Sequence, residues 1–140
     1  MVSTDFLKAD LAARGFEHLV IRPLGVDTEL FQRNIDIPPS KKPIFMFLGR
    51  LAAEKGIDDF LTCKLPGEKW IVGDGAERME LEMLHPDVRF FGYKTGQDLV
   101  DILSRATVLV FPSRTETFGL VVLEALSCGV PVAAYPAPGP

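Results

Sequence analysis

Apolar runs bounded by glycine, proline and small polar residues divide this chain into alternating strands and helices. Residues 44–48 (IFMFL) are apolar without interruption, as expected of a strand buried on both faces. Residues 69–72 (KWIV), 87–91 (DVRFF), 108–111 (VLVF) and 130–134 (VPVAA) read as further strands. Between them lie helices over 56–63, 76–84, 96–106 and from Gly119 to a stop at Gly129. The helix over 96–106 turns Leu99, Val100, Ile102 and Leu103 inward. Ahead of this block, residues 3–15 predict a helix capped by Ser3 or Thr4, with Phe6, Leu7 and Leu11 along one stripe beside Asp10, and Gly15 as its stop. Residues 18–21 predict a short strand, and Asp27 caps a turn through Phe31. Strand–helix alternation of this kind predicts an α/β fold with a parallel sheet of about five strands, helices on both faces and right-handed crossovers.

Composition narrows the picture. The 140 residues are 47% hydrophobic, which is enough for one domain with a real core. Net charge is −4, from 15 basic and 19 acidic residues, with no basic run to suggest nucleic acid. Cys63 and Cys128 have neither metal nor CxxC spacing and read as reduced core or half-buried thiols of a cytosolic protein. The longest apolar stretch, 117–135, is broken by Glu124 and Pro131, so nothing predicts a membrane span. The amino terminus lacks the basic start and apolar core of a signal peptide. Residues 34–43, with Pro38, Pro39, Ser40, Lys41 and Lys42, are the best linker.

The chemistry concentrates in residues 114–132. The helix that Gly119 opens is apolar on every side except at Glu124, a pattern that predicts burial. Two readings of Glu124 stand open: a residue on the one wet stripe beside Ser127 and Cys128, or an acceptor for the paired hydroxyls of a ligand. Glu116 lies eight positions earlier, in the loop before the helix. Six helical residues rise roughly 9 Å at about 1.5 Å each, so the two carboxylates would flank the helix start. Between them, the free N–H groups of Phe118, Gly119, Leu120 and Val121 form an anion site. Gly49, Arg50 and Lys55 follow the first buried strand, where open parallel sheets bind ligands. Arg50 and Lys55 suit a diphosphate, or else are solvated charges with Glu54 paired locally. Gly73 and Gly75 suggest a dinucleotide fingerprint, but Arg78 occupies the place of the third glycine, so a dehydrogenase reading is poor. Asp74 is expected to cap the following helix.

These residues resemble the signature of glycosyltransferase family 4, retaining enzymes of the GT-B fold. The resemblance rests on Glu116 and Glu124 with seven residues between them, followed by ALSCGVPV at 125–132. Matching segments occur in the family's order at 22–31 (RPLGVDTELF), 47–56 (FLGRLAAEKG), 72–77 (VGDGAE) and 91–93 (FGY). One departure is Ala76, where the family often has proline. The resemblance implies a Rossmann-like three-layer sandwich that is one incomplete GT-B half-domain. Residues 1–33 would be the tail of an amino-terminal acceptor domain with its connecting segment, 34–43 the linker, and 44–140 a truncated nucleotide-sugar-binding domain.

The function it implies is transfer of a hexose from a nucleoside diphosphate sugar, UDP- or GDP-linked, to a glycan or lipid acceptor with retention of configuration. No cofactor and no metal are expected. Arg50, Lys55 and Glu116 would be the catalytic residues, the first two on the donor phosphates and Glu116 on donor sugar hydroxyls. Gly49, Gly92, Tyr93, Thr117, Phe118, Gly119, Leu120, Val121 and Glu124 would bind the donor, with the backbone of Gly92 and Tyr93 at the base and Glu124 at the ribose diol. The acceptor would belong to the other domain, and any contact with the inner face of a membrane would come through parts outside this chain. Three other readings remain: a donor-binding unit without turnover of its own, a GT-B sugar-nucleotide epimerase, and a non-binding fragment that oligomerises through an exposed sheet edge.

Overall fold

The computed structural model describes residues 1–114 and 118–136. In chain order its elements are α1 (Asp5–Ala13), β1 (Ile44–Leu48), a 3₁₀ turn (Ala53–Lys55), α2 (Ile57–Thr62), β2 (Glu68–Val72), α3 (Arg78–Leu84), β3 (Arg89–Phe90), α4 (Gly96–Leu103), β4 (Val108–Phe111), α5 (Leu120–Ser127) and β5 (Val132–Ala134). The strands form one five-stranded sheet in the order β3-β2-β1-β4-β5, and every pairing is parallel. The α/β fold and the parallel sheet expected from the sequence are therefore present. β1 sits at the centre, with Met46 opposite Trp70 on one side and Leu109 on the other.

Alternation along β1 divides the core in two. Ile44, Met46 and Leu48 face a cluster that contains Leu99, Val100 and Leu103 of α4 and Ala125 of α5. Phe47 faces the other cluster, with Ile57, Phe60 and Leu61 of α2 and Leu81 of α3. Helices thus cover both faces, which is why β1 reads as an uninterrupted apolar run.

Beyond their last residues the strands stay laced together. The N–H of Gly49 donates to the carbonyl of Val72 at 3.0 Å, and that of Gly73 to Gly92 at 2.9 Å. Gly73 has φ +144, and a Cβ built there would lie 1.8 Å from the carbonyl oxygen of Gly49. No side chain fits that approach.

The amino-terminal segment departs most from expectation. Residues 18–21 do not form a strand; one bridge, between Val2 and Ile21, is all that pairs there. A lone apolar run of three residues, 19–21, has no neighbouring strand among the described residues to complete a ladder, and a single hairpin-sized pairing is marginal in water. α1 is capped by Thr4 as expected, but it buries no residue, and Phe6 is exposed. The turn at Asp27 does form: the Asp27 carboxylate accepts from the N–H groups of Glu29 and Leu30 at 3.0 and 3.1 Å. It delivers Phe31 into the core beside α4 and α5. The hydroxyl of Ser127 donates to the Phe31 carbonyl at 2.6 Å. Asn34 then ties to the end of α4, its N–H donating to Ser104 Oγ and its side-chain amide to Asp101, both at 2.9 Å. The Asp101 carboxylate also accepts from the Gln97 amide at 2.8 Å, and these two hydrogen bonds, that from Asn34 first, pull it below its ordinary pKa.

Three further expectations are corrected. α5 is not buried all round: Ala125 is its one buried residue, and Leu120 and Leu126 are exposed. Asp74 does not cap α3; Glu77 holds that position without a side-chain cap, while Asp74, in the loop before the helix, accepts from Arg78 at 3.1 Å. Cys63 is exposed rather than part of the core, whereas Cys128 is buried. Among the described residues no helix is long and apolar enough to cross a membrane.

The Gly73 contact generates a test. Gly73→Ala must displace the Gly49 backbone and hold a strained φ, so it is expected to cost about 2–4 kcal/mol of stability. Urea unfolding measures it, and a change below about 0.5 kcal/mol would show that the strand ends are not locked together there.

A cleft at the carboxyl ends of the strands

The ends of β1 and β2, the loop after β3 and the starts of α4 and α5 surround a cavity of about 510 Å³. Gly49 and Arg50 come from the end of β1, and Gly73 and Asp74 from the end of β2. Tyr93, Lys94 and Thr95 follow β3, Leu99 comes from α4, and Leu120, Val121 and Glu124 come from α5. A second cavity of about 180 Å³ adjoins it, sharing Leu48, Gly49, Arg50 and Val121 and adding Lys55 and Ser113. This is where an open parallel sheet places its ligands, because the crossovers leave all carboxyl ends on one side.

Of the residues the sequence singled out, Gly49, Arg50, Tyr93, Leu120, Val121 and Glu124 meet in the larger cavity. Lys55 lies in the smaller one, with Gly49, Arg50 and Val121. Gly92 lines neither; its carbonyl takes the Gly73 N–H, so it braces the cleft from behind. Phe118 and Gly119 lead into α5, where Gly119 is the N-cap in a left-handed backbone with no side-chain cap on the first turn. Glu116 and Thr117 lie outside the described residues. Lys94, Thr95, Leu99 and Ser113 were not singled out. The signal that finds them is position alone: each lies just past a strand's carboxyl end or in the first turn of the next helix.

The local pairing read as one alternative for Arg50 is present. Its guanidinium meets Glu54 at 2.5 Å, with the two side chains 67% and 50% exposed. A pair that open to solvent is worth about 1 kcal/mol or less, so it does not prevent Arg50 from turning to an anionic ligand. Asp74 is held on the cavity wall by Arg78, which also donates to Glu82 at 2.8 Å.

Glu124 is half-buried, and burial raises its pKa above the ordinary carboxylate value. Burial likewise raises the Cys128 thiol, with the Glu124 charge as a second cause. Among the described residues no hydrogen bond or ion pair holds the Glu124 carboxylate. A charged group with a desolvation cost and no partner among the described residues, on the wall of a cavity, is a candidate acceptor for a ligand's hydrogen bonds.

The cost of Glu124 has a sign that can be checked. A carboxyl whose folded pKa is raised binds more protons folded than unfolded between its ordinary and raised values, so stability falls as pH rises through that window. Glu124→Gln is therefore expected to be more stable than the parent at pH 7, with the difference shrinking to nothing below about pH 4. Thermal midpoints across pH 3 to 8 measure this; a constant offset would show that Glu124 does not carry the effect.

Comparison with known proteins agrees with this geometry. The family model described as glycosyl transferases group 1 matches residues 29–140. A GDP-mannose-dependent alpha-mannosyltransferase of Mycobacterium tuberculosis (strain CDC 1551 / Oshkosh) is 40% identical over 139 residues, covering 93% of this chain and 37% of its own. Sucrose-phosphate synthase from Thermosynechococcus elongatus superposes with a TM-score of 0.81 at 29% identity, over 97% of this chain and 40% of that one. The Anabaena protein HepE in complex with UDP-glucose has the same fold, with a TM-score of 0.72 at 22% identity over 96% of this chain and 43% of that one. The chain thus spans less than half the length of each.

Proposed function

The chain belongs to the glycosyl transferases of group 1, and from that premise we propose that it is the donor-binding part of a retaining hexosyltransferase, with GDP-mannose as donor. The observation that carries the reading is the pair of joined cavities, with Glu124 on the wall of one and the cations Arg50 and Lys55 on the wall of the other. A nucleoside diphosphate sugar has the matching layout: a diol, then two phosphates, then the sugar. The choice of guanosine and mannose rests on the 40% identical relative named for that donor.

In this reading Glu124 accepts from the ribose hydroxyls, and the larger cavity takes the base beside Tyr93, Lys94 and Thr95. Arg50 and Lys55 stabilise the charge that grows on the departing diphosphate, by positive charge already in place before reaction. The uncapped first turn of α5 adds its N–H groups to the same task. Glu116 and the backbone from Thr117 to Leu120 hold hydroxyls of the donor sugar. The acceptor, a glycan or a lipid, loses its proton to an oxygen of the leaving phosphate, so no side chain need act as base. Positive side chains supply what a metal would otherwise contribute. Because the chain spans 37% of its mannosyltransferase relative, the 140-residue chain taken alone is proposed to bind donor without turning it over.

Calorimetric titration of the chain with GDP and UDP tests this. GDP is expected to bind and UDP to bind at least tenfold more weakly. Glu124→Ala is expected to weaken GDP binding about tenfold or more, the range for hydrogen bonds to a charged group. If neither nucleotide binds a chain that is folded by circular dichroism, the reading fails.

A further inference from the structure

Ser113 is 2% exposed, and its Oγ is buried with no hydrogen-bond partner. Buried hydroxyls are rarely left so. It lies two residues past the end of β4 and lines the smaller cavity. The other polar side chains on that wall, among the described residues, are Arg50 and Lys55. Both can only donate, and no carboxylate stands among them. Among the described residues of this wall a sugar hydroxyl, which offers a proton as well as lone pairs, would find Ser113 Oγ as its one side-chain acceptor. A phosphate oxygen, which only accepts, is matched by all three. The volume, about 180 Å³, is an order of magnitude above the roughly 15 Å³ that one water requires.

We infer that Ser113 is a ligand of the donor's distal phosphate, its hydroxyl donating to a non-bridging oxygen of the group bonded to the sugar. The inference rests on the donor reading above. The assignment to the distal phosphate follows from the order along the cleft. Glu124 lines the larger cavity and Ser113 does not, while Arg50 lines both. A nucleotide with its ribose at Glu124 therefore passes its first phosphate at the shared wall and reaches Ser113 with its second. A buried hydroxyl without a partner is unfavourable to folding, so a structural role does not account for Ser113 and a binding role does.

The test is titration of the chain and of Ser113→Ala with GDP and GMP, and with UDP and UMP in parallel, together with thermal midpoints. Ser113→Ala is expected to weaken diphosphate binding about tenfold, to leave monophosphate binding within about twofold, and to leave the midpoint unchanged or raised. Equal losses for monophosphate and diphosphate would overturn the inference, as would no loss for either. A midpoint lowered by several degrees would overturn it too, by revealing a structural hydrogen bond. In either of the first two cases the Glu124→Ala result decides the donor reading separately. If the parent chain binds no nucleotide, the donor reading falls and this inference falls with it.

Discussion

The cleft depends on how closely two backbones approach, Gly49 at the end of β1 and Gly73 at the end of β2. Parallel strands demand crossovers over the faces of the sheet, so all their carboxyl ends emerge together. That alone gives an edge, not a site. The lacing of Gly49 to Val72 and of Gly73 to Gly92 carries the sheet's hydrogen bonding past the strands proper and draws the loops into one wall. Arg50 and Asp74 leave from that wall, and Arg78 braces Asp74 in place.

How much of this was legible in the residues follows from where the energy lies. β1 and β4 were readable because burial on both faces leaves uninterrupted apolar runs at 44–48 and 108–111. The strand at 18–21 was misread because the same kind of run has no partner ladder here, and strand formation is a matter of neighbours rather than of propensity. α5 looked wholly buried because composition reports what a helix is able to bury; Leu120 and Leu126 show what this chain leaves uncovered. Asp74 was taken for a cap on the strength of its residue type, and its carboxylate found Arg78 instead. Two residues of the cleft wall were legible: Arg50 from its place just past a strand, and Glu124 as a charge in an otherwise apolar helix. The site was not legible at Ser113, since an unsatisfied hydroxyl is a fact of packing that no one-dimensional pattern records.

Glu124 and Ser113 share an energetic character. One is a carboxylate pushed toward neutrality by burial, the other a buried hydroxyl without a partner. Each is unfavourable to folding, and they line adjoining cavities, Glu124 the larger and Ser113 the smaller. Such polar groups gathered beside one cleft, outside the two apolar clusters, are what the proposed binding role would account for.

The attachment of Asn34 to α4 also bears on the cleft. Leu99, in the first turn of that helix, faces the larger cavity, while Asp101 and Ser104 hold the segment that runs from Phe31 toward the sheet. The helix is two turns long and is packed by Leu99, Val100 and Leu103. One short helix and its C-cap thus carry both a wall residue of the cleft and the anchor of the segment ahead of the sheet, and the two share a single packing face as their support.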